Sequence, residues 1–405
     1  METLIIEKEL IDERVKQLLE IIETVEPKND TLFSGRIGQI VFYFYLFRYF
    51  EEEKYADKGI ELLETVLQHI DTKKSPYLLK YPFSYGLSGL GFVISLLKDE
   101  GIIDIEFDKQ LESFDDIVYS KALEGIEERN TDYLHGSLGG LLYFTRRLSN
   151  PKVKGYLVNL VKALSKTAIR DVKGLRFENS HIARLNESDN TNLGLAHGLC
   201  GILMILLKVH ATGVCQSEIE EMVTGGINFM LSYKTPQDFS KNKYSFFPLT
   251  INEKEAWNTE KNLTEYGARL GWCYGDMNQI LLLYTASKQF DRPEWAEIAN
   301  EVGLNTLDRK VRKETIIIDS HICHGSIGMA QYYKRFYELT SLPMYAEAHE
   351  YWIERTLQFL DNEMQDPIFI SHAGELLEGF VGISLGLISS VAEEDLKWDS
   401  IFLLS

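Results

Sequence analysis

Apolar residues recur along this chain with the period of a helix almost everywhere. Ile11, Val15, Leu18, Leu19 and Ile22 fall on one helical face, as do Ile60, Leu63, Val66, Leu67 and Ile70. Alternation of the kind that makes strands is scarce, and its short candidates lie near 173–185 and 243–251. A second rhythm runs over the first. A glycine turn followed by an apolar helix returns as SGRIGQIVFYFYL, SYGLSGLGFVISLL, LHGSLGGLLYF, LAHGLCGILMILL, WCYGDMNQILLLY, CHGSIGMAQYY and LEGFVGISLGLI. The first glycines are Gly35, Gly86, Gly136, Gly198, Gly275, Gly325 and Gly379; six of the seven turns continue as G-x-x-G, and the fifth places Asn278 where the second glycine belongs.

The spacing is near fifty residues, stretched between the third, fourth and fifth turns. Each interval also holds a more polar, amphipathic helix, such as 217–233 or 343–362, the latter opened by Pro343. One helix–turn–helix unit of this size cannot bury both its faces alone, so the units must stack. The helix after each glycine turn is apolar nearly all round and is expected inside; the amphipathic helix before it is expected outside. Seven such pairs predict an all-α fold. A closed double ring of about seven inner and seven outer helices, an α/α toroid, would need no capping units and would gather every glycine turn at one end. The repeat spans 1–405 as a single domain, and the stretched interval near 166–192 leaves room for a small α/β insertion.

Composition narrows the function. The chain has 405 residues and is 45% hydrophobic and 25% charged, the balance of a folded soluble protein. Its formal net charge of -19 argues against a nucleic-acid surface. Four cysteines (Cys200, Cys215, Cys273 and Cys323) are too few for a disulfide framework at this length. The start METLIIEKEL lacks the basic segment of a signal peptide, and no apolar run is long enough to cross a bilayer. These features predict a cytoplasmic protein with free thiols.

Aligning the seven turns on their first glycine concentrates the chemistry. Cys273 and Cys323 stand two positions before it, His135, His197 and His324 one before, Asp132 four before and Arg269 six before. Core residues scattered at random would not favour one register. Cys273, Cys323 and His324 make a Cys₂His donor set, three ligands with room for a fourth, the pattern of a catalytic zinc. The plainer alternative for two such cysteines is burial as free thiols. His197 could be a fourth ligand, a general acid or base, or a core histidine. Asp132 could orient it, take a proton or cap a helix. Arg269 could pair with Asp132 or steady a developing oxyanion, against the plainer role of a surface ion pair. His135 ranks behind these, and Cys200 and Cys215 miss the cysteine register and read as buried thiols.

LGLAHGLCGI, ARLGWCYGD and SHICHGSIG resemble the three signature motifs of the lanthionine synthetase C-like family, in that order. TDYLHGSLGG resembles the acidic motif of its bacterial cyclases, and FFPLTI is similar to an aromatic-proline stretch found there. The resemblance implies an α/α toroid around one zinc ion, with Cys273, Cys323 and His324 as ligands and His197, Asp132 and Arg269 as the acid–base and stabilising set. The family usually has proline and glycine after WCYG, where this chain has Asp276, Met277 and Asn278, so the shape of that turn is open.

The implied activity is that of a lanthionine synthetase, a C–S bond-forming lyase. A peptide cysteine adds to dehydroalanine or dehydrobutyrine and closes a thioether ring of a lanthipeptide antibiotic. The implied partners are a dehydrated precursor peptide with its leader, a lanthipeptide dehydratase and a membrane transporter, which would hold the protein at the inner membrane. Three rival readings remain: a relative that adds glutathione to dehydrated residues, a toroidal glycosidase and a non-catalytic zinc scaffold in a modification complex. A glycosidase needs two facing carboxylates, and Asp132 has no convincing partner.

Overall fold

A computed structural model describes residues 7–104, 107–186, 190–252 and 266–405. In chain order its helices are α1 (Lys8–Ile22), α2 (Arg36–Phe50), α3 (Glu53–Asp71), α4 (Leu87–Asp99), α5 (Asp108–Glu127), α6 (Leu138–Phe144), α7 (Val153–Thr167), α8 (Ser180–Asn186) and α9 (Leu199–Ala211). They continue with α10 (Gln216–Leu231), α11 (Asp276–Phe290), α12 (Pro293–Asp308), α13 (Arg312–Thr315), α14 (Ser326–Thr340), α15 (Pro343–Glu363), α16 (Pro367–Ser371) and α17 (Phe380–Val391). Each of the seven glycine turns opens a helix: α2, α4, α6, α9, α11, α14 and α17. These are the apolar ones. In α9 every residue from Leu199 to Leu207 is buried, as is every residue from Ile37 to Leu46 in α2. No helix among the described residues is long and apolar enough to cross a membrane.

The second glycine of the turn has a steric cause. A Cβ on Gly89, Gly201, Gly328 or Gly382 would collide with the backbone carbonyl oxygen six residues earlier, at Phe83, Leu195, Ile322 and Leu376 respectively. The turn folds back onto the helix start, and only glycine leaves room for it. The fifth turn solves the same problem differently. Asn278 Nδ2 donates to the carbonyls of Gly271 and Trp272, each at 3.1 Å, so a hydrogen bond replaces the close approach. Gly275 there takes φ +112°, whereas the other glycine caps are extended.

The chain divides into two compact units, one running through Phe107 and resuming at Ile318, the other Asp108–Ile317. In the first, α2 packs on α3 and α14 on α15, so the outer partner of each of these inner helices is the one that follows it. The cause is a two-residue link: Glu51–Glu52 and Ser341–Leu342 close tight αα-hairpins, with Glu51 and Ser341 in the left-handed region at φ 57° and 58°. α17 packs on α1. The stripe expected on α3 is rotated. Ile60 is 38% exposed, and Tyr55, Gly59, Leu62, Leu63 and Val66 face inward, because Gly59 admits the Phe44 ring.

In the second unit α11 and α12 form the same kind of hairpin, α10 packs on α9, and α5 lies against α6 and α7. The interval after α7 holds an antiparallel pair, β1 (Ile169–Asp171) with β2 (Gly174–Arg176), and then the helix α8. Next, β3 (Thr191–Asn192) pairs with β4 (Thr250–Ile251), Thr191 opposite Ile251. The interval near 166–192, where an α/β insertion is expected, holds these short strands and α8, with a helix over the latter part of the 173–185 strand candidate. Gly174, at φ +133°, lets this hairpin lie against the backbone of Gly225 on α10.

Candidate active site and metal ligands

The turn before α6 puts Asp132 at 0% exposure with four hydrogen bonds on two oxygens. Oδ1 accepts the backbone N–H groups of Leu134 at 2.9 Å and His135 at 2.7 Å. Oδ2 accepts Asn179 Nδ2 at 2.9 Å and meets His197 Nδ1 at 2.9 Å. Burial alone would raise the Asp132 pKa. The bonds from His197, Asn179 and the His135 N–H outweigh it, and the carboxyl is held below its usual range. An ionised carboxylate only accepts, so His197 carries its proton on Nδ1 and turns Nε2 outward. Asp132 thus holds the His197 ring and closes the turn over Leu134 and His135, but it does not cap α6, whose N-cap is Ser137. Arg269 is not among these four partners.

The turn before α9 carries His197 and is fastened to its neighbours on both sides. Asn179 Nδ2 also donates to the His197 carbonyl at 3.0 Å, which ties the insertion to this turn. His135 stacks on His197 with ring centroids 5.5 Å apart. Burial pushes the His135 pKa down to about 4, so that ring stays neutral and does not compete as a cation. On the other side Asn192 Nδ2 donates to the Tyr274 hydroxyl at 2.9 Å, and Leu195 N–H to Asn278 Oδ1 at 2.9 Å. Gly194 has no side chain because the Cys273 carbonyl rests against it.

Cys273, half-buried, lies on this third turn with Tyr274 and Arg269. Burial raises the Tyr274 phenol above its ordinary range, and the Asn192 bond opposes that rise. The departure after WCYG is a brace. Buried Asp276 accepts the N–H groups of Phe246 at 3.2 Å and Phe247 at 3.1 Å and pairs with fully buried Arg309 at 3.1 Å. Arg309 also donates to the carbonyls of Glu314 and Ala268, spanning the root of the turn.

The turn before α14, in the other unit, holds Cys323 at 8% exposure and half-buried His324. Asp319 gathers two histidines: His321 Nδ1 lies 3.6 Å from it and His324 Nε2 3.8 Å. Glu363 of α15 accepts the Ser320 N–H at 3.0 Å and also binds the Ser320 hydroxyl, fixing the start of the turn. None of the four cysteines is in a disulfide; Cys200 is buried, and Cys215 is half-buried at the start of α10, away from the glycine turns.

Sequence reasoning missed Asn179, Tyr274, Asn192, Asp319 and the Asp276–Arg309 pair. Asn192 and Asp319 stand six before a first glycine, as do Asn29 and Asn130, and that recurrence was available in the sequence. Nothing local marked Asn179, which reaches Asp132 from 47 residues away.

A family model for lanthionine synthetase C-like proteins matches residues 26–403. A search of the curated proteins gives no match. Among solved structures the chain is similar to a nisin cyclase, at 20% identity and a TM-score of 0.76, over 98% of this chain and 97% of that one. That likeness shows a common fold, the α/α toroid the repeat predicts. The family match covers nearly the whole chain and includes all seven glycine turns, so this protein belongs to the lanthionine synthetase C-like family.

Proposed function

We propose that the protein is a zinc-dependent lanthipeptide cyclase, closing (methyl)lanthionine rings in a dehydrated precursor peptide. The observation that carries this reading is the His197 ring, fixed in one tautomer by a buried carboxylate, with Nε2 free of any bond among the described residues. That is the equipment of a proton shuttle and not of a fourth metal ligand already committed.

Cys273, Cys323 and His324 would hold the zinc, and their chemistry fits it: two thiols outside any disulfide, able to bind as thiolates, and one imidazole. When bound, the ion supplies acidity to an incoming thiol whose ordinary pKa is about 8.5. His197 Nε2 takes the thiol proton. Asp132 is a poor candidate for that step, because four donors already occupy its oxygens. The sulfur adds to the β-carbon of dehydroalanine or dehydrobutyrine, and the carbon–carbon π pair moves into an enolate. Arg269 provides fixed positive charge for the enolate oxygen. His197, now an imidazolium steadied by Asp132, returns the proton to the α-carbon. One C–S and one C–H bond form and no atom is lost. A dehydratase must act earlier in the sequence, and the proposed setting is cytoplasmic, beside that enzyme and a transporter of the finished peptide.

The test counts thiols, since cyclisation conserves mass. A dehydrated precursor is incubated with zinc-loaded protein, alkylated and weighed. Loss of alkylatable cysteine supports the cyclase. Unchanged peptide thiols with consumption of added glutathione would replace it by the glutathione-adding relative, and inactivity toward both thiols would leave a scaffold.

A further inference from the structure

Beside the Asp132–His197 pair lies a cavity of about 290 Å³ within the second unit. Its walls are Ile169, Phe177, Ile182, Leu199 and Ile202, from the β1–β2 hairpin, α8 and the start of α9, and His197 itself lines it. Phe177, Ile182, Leu199 and Ile202 are each under 9% exposed, so the walls are part of the packed interior and not a surface dimple. The lining carries almost no free charge: its acid, Glu178, is paired with Arg129. One polar atom is unspent. Ser180 Oγ is shielded from solvent and has no hydrogen-bond partner, while its residue lines the cavity beside Asn179 and Asn192. A shielded, unpartnered hydroxyl costs about 1–3 kcal/mol unless something binds to it.

Resting on the cyclase reading, we propose that this cavity is a specificity subsite for the uncharged, apolar side chain of a residue flanking the dehydro residue of the peptide. Three features select that occupant. Branched and aromatic walls desolvate an apolar side chain and reject a charged one. Ser180 Oγ and the second Asn192 amide N–H offer hydrogen bonds to the peptide backbone, both Asn179 N–H groups being given to Asp132 and His197. His197, which delivers the proton to the α-carbon, fixes which peptide residue is adjacent. The insertion thereby gains a role: it builds one wall of the subsite and, through Asn179, holds the catalytic pair.

The experiment is direct binding, followed by anisotropy of fluorescent peptides on zinc-loaded, full-length protein. Three peptides are compared, alike except for Leu-dehydroalanine-Leu, Phe-dehydroalanine-Phe or Gly-dehydroalanine-Gly. A pocket contact of this size should make the leucine peptide bind about tenfold or more tightly. Ala183→Phe narrows the cavity from α8 and should abolish that preference, leaving the glycine peptide's affinity within about twofold. Ile182→Ala widens it and should shift preference toward phenylalanine at the flanks, so the two variants move in opposite directions even if one is less stable. Equal affinity of wild type for the leucine and glycine peptides, or a preference untouched by both variants, would overturn the subsite. Loss of ring closure by wild type with the leucine preference intact would overturn the cyclase reading alone.

Discussion

His197 Nδ1 meets Asp132 Oδ2 at 2.9 Å, and the carboxylate that receives it is closed off from water by four hydrogen bonds. The pair joins two glycine turns 65 residues apart in sequence and leaves one imidazole nitrogen for chemistry. His197→Asn should therefore keep zinc and fold but close rings about 10²–10⁴-fold more slowly. Asp132→Asn should also lose rate, with an altered pH profile, since an amide neither fixes the tautomer nor steadies the imidazolium. Thiol alkylation gives the rate and metal analysis gives the zinc. Loss of zinc from His197→Asn would make it a ligand.

Metal content separates the two roles. Cys273→Ala, Cys323→Ala and His324→Ala should each lose most of about one zinc per chain. The helices pack on one another without it, so chelated protein should retain its helical circular dichroism. Full zinc in any two of these variants contradicts the ligand assignment.

The Asp276–Arg309 brace is buried on both sides, at 0% exposure each. Removing one partner strands a charge, and Asp276→Ala should cost about 3–5 kcal/mol. The double variant Asp276→Ala/Arg309→Met should recover part of that loss. Urea denaturation measures both, and a single variant as stable as wild type would show the pair to be idle.

Two glycines make a controlled contrast. A Cβ at Gly328 would strike the Ile322 carbonyl, whereas nothing lies within 4 Å of one at Gly155 in α7. Gly328→Ala should destabilise and disturb the turn carrying Cys323. Gly155→Ala should be neutral or stabilise by about 0.5–1 kcal/mol from helix propensity. Thermal melts decide it.

Burial pushes Glu363 up to about 7, partly opposed by its bonds to Ser320. A carboxyl with a raised folded pKa binds more protons folded than unfolded, so stability falls as pH climbs from its ordinary value of 4.5 through about 7. Glu363→Gln mimics the neutral form. Its melting temperature should gain on wild type across that window and hold the gain above it; a constant gap from pH 4.5 to 8 would exclude the effect.

The sequence by itself determined the seven turns, the inner helices and the register of Cys273, Cys323, His324, His197, Asp132 and Arg269. Those features are local: a helix apolar on every side must be internal, and a doubled glycine marks a turn that folds onto its own carbonyl. Tertiary structure decided what depends on neighbours. Which outer helix pairs with which inner one followed from the two-residue links of the α2–α3, α11–α12 and α14–α15 hairpins, and the contact of α1 with α17 is not written in any local pattern. Ile60 turned outward because Gly59 makes room for Phe44. Asp132 has its remaining lone pair filled by Asn179, which reaches it from 47 residues away. Side-chain partners far apart in sequence are chosen by packing, and no period or spacing along the chain records that choice.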